Sequence, residues 1–137
     1  MELVADDLIA LQRATHALVL ALDAELSDLG LSPSETNLIA CLAPDTPRRI
    51  GEVIAGTGQR PSTVTGILDR LERRGLVARQ LDPDDRRSFR VELTADGASM
   101  HGWVLEGFER VAARASAGLA ESGGDFRSTL RAIERAS

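Results

Sequence analysis

The residues with the most chemical capacity stand close together. Arg60-Pro61-Ser62-Thr63-Val64-Thr65-Gly66 sets short hydroxyls on an element that Pro61 opens, with Arg60 before them and Arg70 after them. The hydroxyls of Ser62, Thr63 and Thr65 can bond base edges or phosphate oxygens, and a threonine methyl can touch a thymine methyl. Arg60 and Arg70 can pair with phosphate or with a guanine edge. A helix beginning here also turns free backbone N–H groups toward a phosphate. Each hydroxyl taken alone has a second reading as a helix cap. Arg86 and Arg87 form another pair, in the run Asp82-Pro83-Asp84-Asp85-Arg86-Arg87-Ser88. Arginine at a hairpin tip can enter a minor groove, where a narrow A·T-rich stretch concentrates negative potential. Asp85 repels phosphate unless it is paired, and we expect it to buttress one of the two arginines. The other reading is a solvated turn.

Three more residues are candidates for binding a small molecule: His16, Cys41 and Trp103. His16 can bind an anion or titrate near neutral pH, or it can be a satisfied interface residue. Cys41 stands among Leu38, Ile39 and Leu42, the setting of an inert core thiol. Trp103 reads as core before ligand platform, and His101 as surface or interface. No cluster of His, Cys and acids has metal-ligand spacing, so no metal or cofactor is expected. There is no glycine-rich phosphate loop, no nucleophile elbow and no acid/base pair. Two His, one Cys and no Tyr leave few catalytic players, and an enzyme is not expected.

Charge supports a polyanionic partner, but only locally. The 137-residue chain has a net charge of −5. From Arg48 to Arg90, however, ten arginines face six acids, and the acidic excess lies in the flanks. This is the distribution of a DNA-reading module in an acidic scaffold, or of a solvated charged face. A winged helix used for protein–protein interaction, without DNA binding, is the competing class. The acidic N-terminus, Met1 to Asp7, is not a secretory signal, and no apolar stretch is long enough to span a bilayer. A cytoplasmic protein without membrane contact is therefore expected. Aromatics are 3% of residues, so Leu, Val, Ile and Ala must build the core.

The elements that position these residues follow from periodicity. Leu8, Leu11, Leu18, Leu22, Leu26 and Leu29 predict one long helix with a wide apolar stripe, from about Leu3 to Leu29 and closed by Gly30. Ser32-Pro33-Ser34-Glu35 reads as a capping box opening a short helix to Leu42. Thr46 to Ile50 reads as an extended link, and Gly51 to Ala55 as a short helix. Gly56-Thr57-Gly58 is a turn, and a helix capped by polar residues runs from Pro61 to about Arg74, ended by Gly75. Val64, Ile67, Leu68 and Leu71 are its inward stripe. Together these make a helix-turn-helix. The period then shortens to two in Leu76 to Leu81 and in Phe89 to Leu93. These strands flank the 82–88 loop, which reads as too long for a two-residue turn. Thr94 caps a helix to about Leu119. Its Gly97, Gly102 and Gly107 each cost about 1 kcal/mol and imply close approach of another backbone. Ser122-Gly123-Gly124 breaks the chain, and Asp125 opens a final helix holding Phe126, Leu130 and Ile133.

The run from Pro61 through Arg70-Leu71-Glu72-Arg73-Arg74-Gly75-Leu76-Val77 resembles the recognition region of the MarR family of winged helix-turn-helix regulators. Asp82-Pro83-Asp84-Asp85-Arg86-Arg87-Ser88 followed by Val91-Glu92-Leu93-Thr94-Ala95-Asp96-Gly97 is similar as well. The resemblance implies a single mostly α domain with a small β-hairpin wing. Residues 33–94 would be the DNA-binding region, and residues 3–30 and 95–137 the dimerisation helices. It implies a homodimer on a pseudo-palindromic double-stranded operator, with half-sites roughly 34 Å apart. It further implies a repressor released by a small aromatic or phenolic effector, bound between the dimerisation helices and the DNA module.

Overall fold

The computed structural model describes residues 2–119 together with Leu130. Helix α1, Ala5–Leu26, begins with Asp6 and Asp7 at its positive end, where Asp7 accepts the Val4 N–H at 3.0 Å. It stops sooner than its leucine spacing predicts, tightening into a 3-10 turn at Ser27–Leu29 before Gly30 closes it. Such tightening is common where a helix runs out of intrahelical partners. Helix α2, Pro33–Cys41, has the capping box expected of it. The Glu35 N–H donates to Ser32 Oγ, and the Ser32 N–H donates to Glu35 Oε1, both at 3.2 Å.

Strand β1, Arg48–Arg49, corrects the expectation of a mere link between Thr46 and Ile50. Arg48 pairs with Val91 and Arg49 with Arg90, so the sheet has three strands, in the order β1-β3-β2. Two residues are too few to display a period of two, which is why the sequence conceals this strand. Helices α3, Ile50–Thr57, and α4, Pro61–Arg73, follow, joined through Gly58. The stripe Val64, Ile67, Leu68 and Leu71 is buried as predicted, at 1% exposure or less. The polar cap expected on α4 is absent: Arg60 occupies that position without a side-chain hydrogen bond.

The wing is tighter than its sequence suggests. Strand β2, Val77–Asp82, and strand β3, Asp85–Leu93, leave only Pro83 and Asp84 to turn the chain. A register shift between Leu81 and Asp82 accommodates the turn. Arg86 and Arg87 therefore lie on β3, beyond the turn rather than in a loop. Pro83 and the neighbouring aspartates suppress the strand pattern in sequence, although Asp82 and Asp85 still pair with each other at the ends.

Helix α5, Ala95–Leu119, packs back on α1 and α2. Thr94 accepts the Gly97 N–H at 3.0 Å, as a cap should, and donates its hydroxyl to the Gly75 carbonyl at 2.6 Å. A Cβ at Gly97 would stand 1.8 Å from the Leu76 carbonyl oxygen, and one at Gly107 would stand 2.2 Å from a Leu26 methyl. Both glycines thus permit close approach; around Gly102 the space is open. Arg74, just past α4, donates to the Gly30 carbonyl at 2.7 Å and lies 3.8 Å from Glu35. Gly75 next to it takes φ +71°, which other residues seldom tolerate. The turn Arg74-Gly75-Leu76 is thereby fixed to the end of α1 on one side and to the start of α5 on the other.

The core gathers Leu26, Leu38, Ile39, Val53, Ile67 and Leu71 with Val77, Val91 and Val104. Two expectations fail at α5. Trp103 is 52% exposed, not core, and His101 is buried, not on the surface. They are two residues apart on a helix, so the face toward α1 and α2 takes one and excludes the other. The final helix expected from Asp125 lies outside the described residues except for Leu130, which is helical and exposed. Among the described residues no helix is long and apolar enough to cross a membrane. Because the atom facing Gly97 is backbone and cannot swing aside, Gly97→Ala is expected to destabilise the fold by about 3 kcal/mol or more in urea unfolding. A midpoint equal to wild type would show that α5 and the Leu76 turn separate freely.

Candidate nucleic-acid interface and ligand cleft

On α4 the apolar stripe turns inward, which leaves Ser62, Thr63, Thr65 and Arg70 exposed, with Arg60 exposed at its start. Without a side-chain cap, the first N–H groups of α4 face outward, where an anion can take them. The Thr65 hydroxyl donates to the Pro61 carbonyl at 3.0 Å. Its remaining capacity is therefore to accept, as from an adenine or cytosine amino group, and its methyl is free for apolar contact. On the wing, Arg86 and Arg87 are both exposed. The expected buttress is not an ion pair: Asp85 Oδ1 accepts the backbone N–H of Arg87 at 3.0 Å. A two-residue backbone bond is closer to hand than a mobile guanidinium, and it holds the start of β3.

The wing's true buttress was missed by sequence reasoning. Asp82, whose side chain is 1% exposed, lies 3.3 Å from Arg49 Nε on β1 and 3.3 Å from Arg90 Nη2 on β3. Asp84 adds Arg90 at 3.3 Å and Arg49 at 3.6 Å, and its own N–H donates to Asp82 Oδ1. Two carboxylates and two guanidinia thus tie the wing's tip to β1, the strand that leads directly into α3. The available signal was alternation: Arg90 lies between Phe89 and Val91 and so must face away from the apolar side of the sheet. A second network lies on α4. Arg79 donates to Glu72 at 2.8 Å and to Asp69 at 2.7 Å, and these bonds push its already high pKa further up.

The pairing resolves the charge balance of the region. Asp69, Glu72, Asp82 and Asp84 are each held by Arg49, Arg79 or Arg90. Among the described residues Arg60, Arg70, Arg86 and Arg87 have no acidic partner within 4.0 Å. Four of the six acids between Arg48 and Arg90 are used within the module, while Glu52 and Asp85 stay exposed without an arginine partner.

The three small-molecule candidates do not converge. His16 is exposed on an open groove along α1 with Leu8, Gln12 and Thr15. Trp103 borders a shallow recess at the end of α1 with Glu25, Asp28 and Glu106. There Arg110 and then Arg114 bond Glu25 and hold its carboxyl below the usual range. Half-buried Cys41 donates its thiol to the Gly56 carbonyl at 3.3 Å. Burial pushes that thiol's pKa up, against a smaller downward pull from Arg48, so it is a poor nucleophile at neutral pH. A less open space lies elsewhere. A cleft of about 330 Å³ separates Leu18, Val19, Leu22 and Asp23 of α1 from the start of α2, with Phe108 of α5 and Gln59 closing it. Periodicity does not reveal this cleft, because its walls come from four separate elements. Among the described residues no group of His, Cys, Asp and Glu could hold a metal ion.

The profile of the MarR family matches residues 29–88, from the end of α1 through the wing. The repressor MdtR of Bacillus subtilis is 32% identical over 85 residues, 62% of this chain and 55% of MdtR, so the chain spans about half the length of that relative. Among solved structures, the Staphylococcus aureus MepR–DNA complex superposes with a TM-score of 0.81 at 17% identity, covering 99% of this chain and 100% of that one. NadR in complex with 4-hydroxyphenylacetate gives 0.72 at 24% identity, covering 98% and 92%. Residues 29–88 thus match the MarR family, and the chain as a whole shares the fold of these solved structures.

Proposed function

We propose that this chain is a sequence-specific double-stranded DNA-binding regulator. In this reading it acts as a homodimeric repressor on a pseudo-palindromic operator and is released by a small molecule. The observation that carries the proposal is the pairing of Asp69, Glu72, Asp82 and Asp84 within the module, which leaves Arg60, Arg70, Arg86 and Arg87 outward beside the hydroxyls of α4. In this reading α4 enters a major groove through Ser62, Thr63 and Thr65, with Arg60 and Arg70 on phosphate or guanine. Arg86 and Arg87 take the adjacent minor groove. MepR, a neighbour of the same fold, binds DNA, which supports the assignment.

The dimer rests on α1. Leu8, Leu18 and Val19, which share one face of the helix, are 42–53% exposed. Apolar exposure on this scale marks an interaction surface, and a second copy with the same stripe covers it by two-fold symmetry. The effector's place in this reading is the cleft between α1, α2 and α5, since it joins the dimerisation helices to the DNA module. NadR, which shares the fold, is seen with an aromatic acid.

Operator binding measured against salt tests the whole reading. Log affinity is expected to fall steeply with log salt, because several phosphates per dimer are neutralised. A flat dependence would sink the proposal and favour a protein-binding winged helix. Arg86→Ala is expected to weaken binding, relax preference at the minor-groove position and lower the salt slope by about one per subunit, or about two per dimer. Thr65→Ala is expected to cost about 1–3 kcal/mol of discrimination between bases. Operator affinities unchanged in both variants would refute the assigned surface. For the wing clamp, Asp82→Asn is expected to lose about 1–3 kcal/mol of stability together with operator affinity, since it breaks two charge-assisted contacts. For the dimer, Leu18→Glu is expected to give monomers in analytical ultracentrifugation at concentrations where wild type is dimeric. A variant that stays dimeric would move the interface away from α1.

A further inference from the structure

The wing carries an apolar pair that the fold itself does not use. Leu81 on β2 and Phe89 on β3 stand opposite each other in the ladder, 63% and 45% exposed. Sheet alternation puts them on the face that also holds the pairs Val77–Leu93 and Arg79–Val91. That face is turned to α4: Val77, Val91 and Leu93 are buried in the core, and Arg79 bonds Glu72 and Asp69 of α4. The Asp82 clamp and the Gln80–Glu92 hydrogen bond lie on the opposite face. In reaching Glu72 and then Asp69, β2 runs back along α4 toward the start of the helix. Glu72, Asp69, Thr65 and Ser62 recur at helical spacing and share one side of α4. Helix and hairpin are therefore joined at the Arg79 network and part beyond it. Exposed Ser62 and Thr65 lie on one arm, and Leu81 and Phe89 on the other. Past the pair, the ladder goes directly to Asp82–Asp85, so Arg86, Arg87 and Ser88 bulge out without a partner on β2.

We propose that Leu81 and Phe89 pack against the deoxyribose of the DNA strand that separates the two grooves. This rests on the reading that α4 and the wing arginines take adjacent grooves, for then one backbone strand passes between the two arms and over the pair. Deoxyribose presents mostly C–H surface, so burying it against Leu and Phe releases water without displacing counterions. Contact with sugar carries no base information and strengthens binding to every sequence alike. An apolar pair can also seat a protein. Here it is continuous with Arg86 and Arg87 on one side and with the hydroxyls of α4 across the gap, which favours DNA. The clamp on the opposite face holds the hairpin stiff while this face stays open.

Because the contact ignores sequence, a labelled mixed-sequence duplex of about 30 base pairs, three helical turns, serves as the probe for the full chain. The double variant Leu81→Ser, Phe89→Ser is expected to bind at least about tenfold more weakly at every salt concentration, with the slope of log affinity against log salt unchanged. Phe89→Leu is expected to stay near wild type. Phe89→Trp reports on the site directly, even if the serine variant folds poorly: its emission is expected to change on adding duplex, in excess of any change from Trp103 in the wild type. Wild-type affinity in the serine variant overturns the proposal, as does a reduced salt slope, which would mean that the arginines had moved. Phe89→Trp emission that the duplex leaves unaltered overturns it too. A wild type that does not bind the duplex at low salt refutes the underlying DNA reading and this contact with it, whereas wild-type binding that the serine variant matches refutes the contact alone.

Discussion

The structure hangs on one short turn, Arg74-Gly75-Leu76. Arg74 reaches the carbonyl of Gly30 at the end of α1. Thr94 holds the Gly75 carbonyl, and its own N–H donates to the carbonyl of Leu76 at 3.1 Å. Gly97 lets the first turn of α5 lie directly on that same oxygen. The α4 helix ends here and the wing begins here. The two outward surfaces therefore share one anchor, and that anchor is bolted to both long helices. Any change in the angle between α1 and α5 reaches α4 through the Arg74 and Thr94 side chains, both bonded to backbone carbonyls, and through the Thr94–Leu76 backbone bond. The polar contacts are short, from 2.6 to 3.1 Å, and all are made to backbone carbonyls, which makes this junction stiff.

A second constraint is electrostatic. The chain is acidic overall yet presents a basic surface, and it does so by placement rather than by excess. Asp69, Glu72, Asp82 and Asp84 are clamped by arginines that therefore cannot serve an external anion. The clamps also carry mechanical load: Asp82 joins β1 to β3, and Asp69 and Glu72 join α4 to β2. Guanidinium suits both roles, since its planar fork satisfies two carboxylates at once. Counting charges along the sequence overstates the number of arginines available to a ligand and understates how free the remainder are.

Much of the fold was legible because long helices with buried stripes announce themselves. The inward set of α4, the capping box at Ser32 and Glu35 and the cap at Thr94 each follow from local rules and are found. What escaped was short or non-local. Strand β1 has two residues and takes its meaning from Val91 and Arg90, some forty positions away. The tight wing turn hid behind Pro83 and a run of aspartates. Trp103 and His101 were misassigned because hydrophobicity guided the choice, whereas helical phase decides which of two nearby residues faces inward. For the candidate site, exposed residues on one helix could be named from the sequence. The cleft could not, since Asp23, Gln59 and Phe108 become neighbours only after folding.

The bare stripe of α1 carries a consequence for how such a protein would respond to its own abundance. A helix of 22 residues that buries only Leu26 within its chain gains little from folding alone. In the proposed dimer, ordering of α1 and pairing of subunits become one event, whose yield rises with the square of the free chain. Near the dissociation midpoint, halving the number of molecules in a cell would then cut occupied sites by more than half. The length of an unpaired helix would thus set a threshold in protein copy number, below which the target gene stays open whatever the effector does.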